Sequence, residues 1–148
     1  MMRHIWSVLC SKQSIDRETN SISLFEVIEG VQFYTKAIPS FPSPVPFAGT
    51  LVTLWARSTP GERAKGVARV RLLSPEGTEL LSQTMEVNLE SHPRNRSILQ
   101  LQGIVIGGPG VHAWEVSSRA ADGRWETQAT IPMDVAVSTT PPAAKAVN

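Results

Sequence analysis

The sequence contains little cysteine, little net charge and no long apolar stretch. Each of these shortages excludes or disfavours certain classes of protein. Cys10 is the one cysteine of 148 residues, so no disulfide can form within the chain, and a reducing compartment is favoured. Fourteen basic and thirteen acidic residues leave a net charge of +1. That balance gives no support to a nucleic-acid partner or an anionic membrane surface, because both are bound through clustered cations.

The sequence also predicts no segment that directs the protein to or across a membrane. Residues 5–10 form an apolar stretch, but a secretory signal needs about 7–15 apolar residues and a small-residue cleavage site. No window approaches the roughly 18 apolar residues of a membrane-spanning helix. We therefore expect a cytoplasmic protein that has no membrane partner.

Motifs of common active sites are absent as well. There is no Gly-x-Ser-x-Gly elbow, and the glycine-rich residues 107–110 lack the lysine of a phosphate-binding loop. One cysteine and three scattered histidines do not make a zinc site. We predict no catalytic residue, no metal and no cofactor. The alternative is a small enzyme with a site near His112 and the 107–110 turn, although His112 is in phase with Trp114 and Val116 and so fits a core position.

The sequence does contain regularly spaced short apolar segments separated by Gly/Pro turns. Such spacing predicts an all-β fold, here a single antiparallel β-sandwich of about eight strands. We place the domain at residues 1–137 and a disordered tail at 138–148. Strong hairpin signals join 67–73 to 78–90 through the turn 74–77, and 111–119 to 125–137 through Asp122 and Gly123.

Two segments are harder to assign. Residues 21–36 fit helical and alternating spacing almost equally, and β-branched and aromatic content favours strand. Residues 39–46 contain four prolines, so we expect an extended crossover outside any ladder.

Two local patterns resemble known proteins. Residues 109–116 followed by 122–125 resemble the closing hairpin of immunoglobulin-like sandwiches, and a C2-like sandwich is the other type considered. The first third of the chain is similar to a family of small uncharacterised bacterial proteins through Trp6, Leu9, Cys10, Asp16, Thr19, Asn20, Ser23, Leu24, Pro39 and Pro42. The second resemblance implies a bacterial cytoplasmic origin and supplies no catalytic residue.

Four apolar side chains form the candidate partner surface. Phe41 and Phe47 lie in or beside the proline-rich segment, and Leu51 and Trp55 alternate with Val52, Leu54 and Ala56. If the latter three face the core, Leu51 and Trp55 face solvent or a partner, and exposed apolar patches usually mark interfaces. The sequence thus favours a non-enzymatic protein-binding or assembly module, as a homodimer or part of a larger complex, and identifies no small-molecule ligand. A phage or secretion-apparatus subunit is a further alternative.

One basic concentration is present. Arg69 and Arg71 alternate along a predicted strand and therefore share one sheet face. We expect a solvated face, with an acidic partner surface or single-stranded nucleic acid as alternatives.

Overall fold

A computed structural model describes residues 2–140, and these residues are β-strands joined by turns. The nine strands found there are β1 Met2–Ile15, β2 Ile22–Val27, β3 Gly30–Tyr34, β4 Ser43–Arg57, β5 Ala64–Leu73, β6 Glu79–Leu89, β7 Arg94–Ile106, β8 Gly110–Arg119 and β9 Trp125–Ser138. Most of the predicted tail, residues 141–148, lies outside the described range.

The strands form two sheets. Sheet A has the order β2-β1-β4-β7 and sheet B the order β3-β9-β8-β5-β6, which confirms the predicted all-β, sandwich-like architecture. The prediction was wrong in two details. There are nine strands in the described residues rather than about eight, and β3 pairs with β9 in parallel. The parallel pair arises because the chain crosses from sheet A to sheet B at residues 28–29 and enters beside β9.

Both predicted hairpins are confirmed. β5 pairs with β6 and β8 pairs with β9, each antiparallel. The turn after β5 is closed by the Gly77 N–H, which donates to the Ser74 carbonyl at 2.9 Å. Gly123 has a φ of 86°, a conformation that favours glycine. The ambiguous segment 21–36 contains β2 and β3, so strand was the correct assignment.

The main core lies between the sheets, and β4 contributes to it with the face opposite to the one predicted. Leu51 and Trp55 are 1% and 0% exposed and belong to this core. Val52, which was predicted to face inward, points to the outer face of sheet A. The alternation could not distinguish the two faces because β4 carries apolar residues on both, as strands covered on both sides do.

The distal part of the β1–β2 hairpin explains why the outer face of sheet A is also covered. Arg96 of β7 donates from Nη2 to the carbonyl oxygen of Asn20, at the hairpin tip, over 2.6 Å. β7 is two strands away from β1, so the hairpin must fold back across the sheet. Val52 and Cys10 lie outside the main core and are nevertheless 0% exposed, and burial raises the pKa of the Cys10 thiol. Residues 11–15 belong to the distal part of β1.

Prolines also occur inside a ladder, contrary to the prediction for residues 39–46. Pro44 and Pro46 of β4 pair with Val105 and Gly103 of β7. β1 pairs with β4 only as far as Thr50, so this end of β4 has one hydrogen-bonded neighbour. Prolines are tolerated at such an edge because only one side of the strand needs its N–H groups.

Candidate functional site

Three of the four predicted partner-surface residues are buried within the chain. Phe47, Leu51 and Trp55 are 8%, 1% and 0% exposed and form part of the main core. Phe41 is half-buried, packs against that core and lines a small cavity beside Pro42 and Ser74. The prediction that these four residues form one exposed surface was therefore wrong.

His112, which the alternative enzyme hypothesis placed near an active site, is completely buried and fixes the 107–110 turn. Its Nε2 accepts the Gly107 N–H at 3.0 Å, and its Nδ1 lies 3.3 Å from the Gly110 carbonyl oxygen. Because Nε2 accepts, Nδ1 carries the proton and donates to that carbonyl. Both ring nitrogens are thus engaged with the backbone, and neither is available to a substrate.

A second histidine takes part in a short polar chain inside sheet A. His4 Nε2 lies 2.8 Å from Ser7 Oγ, which lies 2.9 Å from Thr53 Oγ1. The imidazole edge meets the Trp55 ring at a centroid distance of 5.5 Å, and burial lowers the pKa of His4. No carboxylate orients the imidazole among the hydrogen bonds of residues 2–140. These three side chains hydrogen-bond one another near the core and do not form a nucleophile–base–acid arrangement.

The basic face predicted on β5 exists, but most of its charge is engaged within the molecule. Arg71 donates to Glu115 of β8 at 2.7 Å, and this hydrogen bond is the main reason that the pKa of Arg71 is raised. Arg69 and Arg119 cover the Trp125 ring, with guanidinium carbons 4.4 and 4.8 Å from its centroid. Both guanidinium groups therefore compete with any base that would stack on this ring.

A cleft opens where the hairpin tip meets the outer face of sheet A. We call it the hairpin cleft. It has a volume of about 570 Å³, and its lining combines the apolar side chains of Ile15, Leu54 and Ile98 with the polar ones of Asn20, Arg94 and Arg96. A second cavity, of about 410 Å³, adjoins it at Asn20 and Arg94 and includes His92.

The two lateral sides of the sandwich differ sharply in what they expose. Among residues 2–140, seven large hydrophobic side chains are exposed; four of them lie in or beside β2 and β3, and none lies in β6 or β7. The four are Phe25, Val27, Tyr34 and Ile38. A groove of about 430 Å³ runs along the β2/β3 side, with Val27, Ile131 and Pro132 beside the carboxylates of Glu29 and Asp134. Neither carboxylate forms an ion pair within residues 2–140.

β3 also presents unpaired backbone on this side. The Asp134 N–H donates to the Glu29 carbonyl at 3.1 Å, and the Thr35 N–H donates to the Ser138 carbonyl at 3.0 Å. Main-chain groups of successive residues point to opposite edges of a strand. Gly30, Gln32 and Tyr34, which alternate with the residues bonded to β9, therefore direct their N–H and C=O groups outward. No strand of the described chain pairs with them there.

Sequence reasoning missed both of these features. The exposed side chains of β2 and β3 lie in the segment whose period was ambiguous, so their faces could not be assigned. The hairpin cleft depends on a fold-back that joins Asn20 to Arg96 across 76 positions, and no local pattern reports such a contact. The only usable signal was the apolar content of residues 21–38, which exceeds what a short edge strand needs.

Comparison with known proteins gives no assignment for these surfaces. No protein-family model matches the chain, and no curated protein matches it. Within residues 2–140, no three metal-ligating side chains come together, and no helix has the length and apolar character that crossing a membrane requires.

Proposed function

We propose that the protein is a non-enzymatic assembly module that associates with a second copy of itself through the β2/β3 side. The observation that carries this proposal is the coincidence of exposed apolar side chains with unpaired outward backbone on β3. An edge that has both is a template for strand addition. The surface differs from the one predicted from the sequence, but the class of function is the same.

An antiparallel pair of β3 strands centred on Gln32 fits these residues. In that register Gly30 of one copy lies opposite Tyr34 of the other, so an exposed aromatic ring is placed over a glycine, which leaves it room. Both residues direct their backbone groups outward, as an antiparallel hydrogen-bonded pair requires. Cross-strand pairs of this kind contribute about 0.2–1 kcal/mol each.

The charges at the two ends of β3 are complementary under the same two-fold arrangement. Glu29 precedes the strand and Lys36 follows it, and neither forms an ion pair in the described residues. Antiparallel pairing centred on Gln32 sets Glu29 opposite Thr35 of the second copy, one residue from Lys36. Each dimer would then place two Glu29–Lys36 charge pairs near one another at the ends of the paired strands, where electrostatic attraction favours association without a direct contact.

Light scattering tests this function. We expect the mass to approach twice the chain mass of 16.1 kDa as the concentration rises to about 1 mM, where even a weak interface is populated. Gln32→Pro should abolish association because it removes an outward N–H while leaving the residues bonded to β9 unchanged. Val27→Asp should weaken it. Thr84→Asp, on the exposed edge of β6, is the matched control and should leave it unchanged.

Two results would contradict this function. A monomer throughout that concentration range would exclude self-association. Equal effects of Gln32→Pro and Thr84→Asp would place the contact elsewhere. Masses far above a dimer would instead favour the alternative of a phage or secretion-apparatus subunit, in which such domains form rings.

We further propose an immunoglobulin-like or C2-like type for the sandwich and a bacterial cytoplasmic origin. The β8–β9 hairpin with its Asp122-Gly123 turn supports the first proposal. The similarity of the first third of the chain to small bacterial proteins supports the second. Fractionation of cells that express the chain would test the location.

A further inference from the structure

We propose that the hairpin cleft is a binding site for a small phosphomonoester that carries an apolar or aromatic group. This site is separate from the β3 edge and does not depend on the function proposed above. Its volume of about 570 Å³ falls within the range of small-molecule pockets, about 300–1,000 Å³.

The cationic side of the cleft is held in position before any ligand binds. Arg96 donates to the Asn20 carbonyl oxygen at 2.6 Å and approaches Asn20 Oδ1 at 3.5 Å. A guanidinium has five N–H donors, so at least three remain for a ligand. Fixing the side chain in advance lowers the entropy lost on binding.

The positive charge at the cleft is not neutralised by the protein. Neither Arg94 nor Arg96 forms an ion pair with a carboxylate of residues 2–140, whereas Arg71 on the opposite sheet has two such partners, Glu79 and Glu115. Two arginine side chains set two residues apart on one strand project from the same face. Their planar donors match the oxygens of a phosphate group.

The apolar part of the cleft lining, which lies beside the arginines, favours a ligand that also carries an apolar group. Ile15, Leu54 and Ile98 line it, and Ile15 is 41% exposed. Free inorganic phosphate would leave these side chains in contact with water. A ligand that combines a phosphate with an apolar group satisfies both sides, at about 25 cal/mol per Å² of apolar surface buried.

Isothermal titration calorimetry with phenyl phosphate tests this site. Inorganic phosphate and phenol, which each represent one half of that molecule, are the control ligands. We expect phenyl phosphate to bind at least about tenfold more tightly than either half, because only the whole molecule uses both sides of the cleft. Arg94→Gln should weaken binding about tenfold or more, since a charge-assisted hydrogen bond is lost. Arg119→Gln, which changes an arginine on sheet B, is the matched control and should change it less than about twofold.

Arg94→Gln is the decisive variant because Arg94, unlike Arg96, forms no hydrogen bond to the hairpin tip, so its loss does not release the hairpin. Arg96→Gln should weaken binding as well. Absence of heat with phenyl phosphate at about 10 mM would overturn the proposal, since a site this weak has no useful affinity. Equal binding of phenyl phosphate and inorganic phosphate would overturn it too, as would equal losses in Arg94→Gln and Arg119→Gln.

Discussion

The two lateral sides of the sandwich have edge strands of different length and surface. On one side β6 and β7 have 11 and 13 residues, whereas β2 and β3 on the other side have six and five. The longer pair has no exposed large hydrophobic side chain, and the shorter pair, with the residues beside it, has four. Charged side chains at an edge resist the addition of further strands, and exposed apolar side chains do not.

The difference indicates how each side is stabilised. β6 is anchored by its own side chains, since Val87 and Leu89 are 0% exposed. β2 has no fully buried side chain, and its position depends on pairing with β1 and on the fold-back of the hairpin tip. The β6/β7 side therefore buries its large apolar side chains within the chain. The β2/β3 side leaves apolar surface exposed, which association would bury.

The largest predicted effect contrasts one residue from each side. Leu89→Ala should lower the free energy of unfolding by about 2–5 kcal/mol, because it removes fully buried methyl groups and leaves a cavity. Val27→Ala, at a residue 60% exposed, should lower it by less than about 0.5 kcal/mol. Urea denaturation at low protein concentration measures both without a contribution from dimers. Similar losses in the two variants would show that the two sides are anchored alike.

How far the fold could be predicted depended on whether a strand is covered on one face or two. β5, β6, β8 and β9 alternate cleanly, and their hairpins follow from the turn residues 74–77 and 122–123. β4 has apolar residues on both faces, so Leu51 and Trp55 were assigned to the wrong side. The outer face of sheet A is met by the tip of the β1–β2 hairpin, where Asn20 bonds to Arg96, and residues 11–20 are too polar in sequence to suggest such a contact.

The candidate site was less predictable because it is built from long-range contacts. Arg94 and Arg96 look like an ordinary charged stretch, and only the fold-back of Asn20 makes them the rim of a cleft. Gln32 gains its importance from being the middle residue of an unpaired edge, which its side chain does not reveal. His112 was the exception, since its phase with Trp114 and Val116 predicted a buried position.

A charge reversal sharpens the comparison at the β2/β3 side. Lys36→Glu should weaken the dimer by up to about tenfold, because two attractive charge pairs at the strand ends become repulsive and each exposed pair contributes about 0.2–1 kcal/mol. The double variant Lys36→Glu with Glu29→Lys should recover most of the affinity, since the complementarity is restored in reverse. Analytical ultracentrifugation at low salt gives the dissociation constants.

The matched control for this experiment reverses the charge of one lysine near the β6/β7 side. Lys65 and Glu90 approach to 3.6 Å within one chain, so Lys65→Glu should leave the dimer unchanged. If Lys65→Glu weakens association as much as Lys36→Glu does, the effect reflects net charge rather than a contact at β3. Failure of the double variant to recover would contradict the register centred on Gln32.

The smallest predicted effect concerns β1, the strand that supports the β2/β3 side, through His4. Burial holds the pKa of His4 below its ordinary value of 6.5, so the unfolded chain binds a proton more readily than the folded one. Stability should therefore fall as the pH drops below 6.5, and the loss should level off once the pH is below the folded-state pKa. The loss should be small because water screens the partly exposed ring. His4→Gln should remove this part of the pH dependence when unfolding free energies are compared between pH values near 5 and 7. If the wild-type and variant curves run parallel across that range, the hydrogen bond between His4 and Ser7 holds the imidazole equally well in both protonation states, and β1 is insensitive to acid at this end.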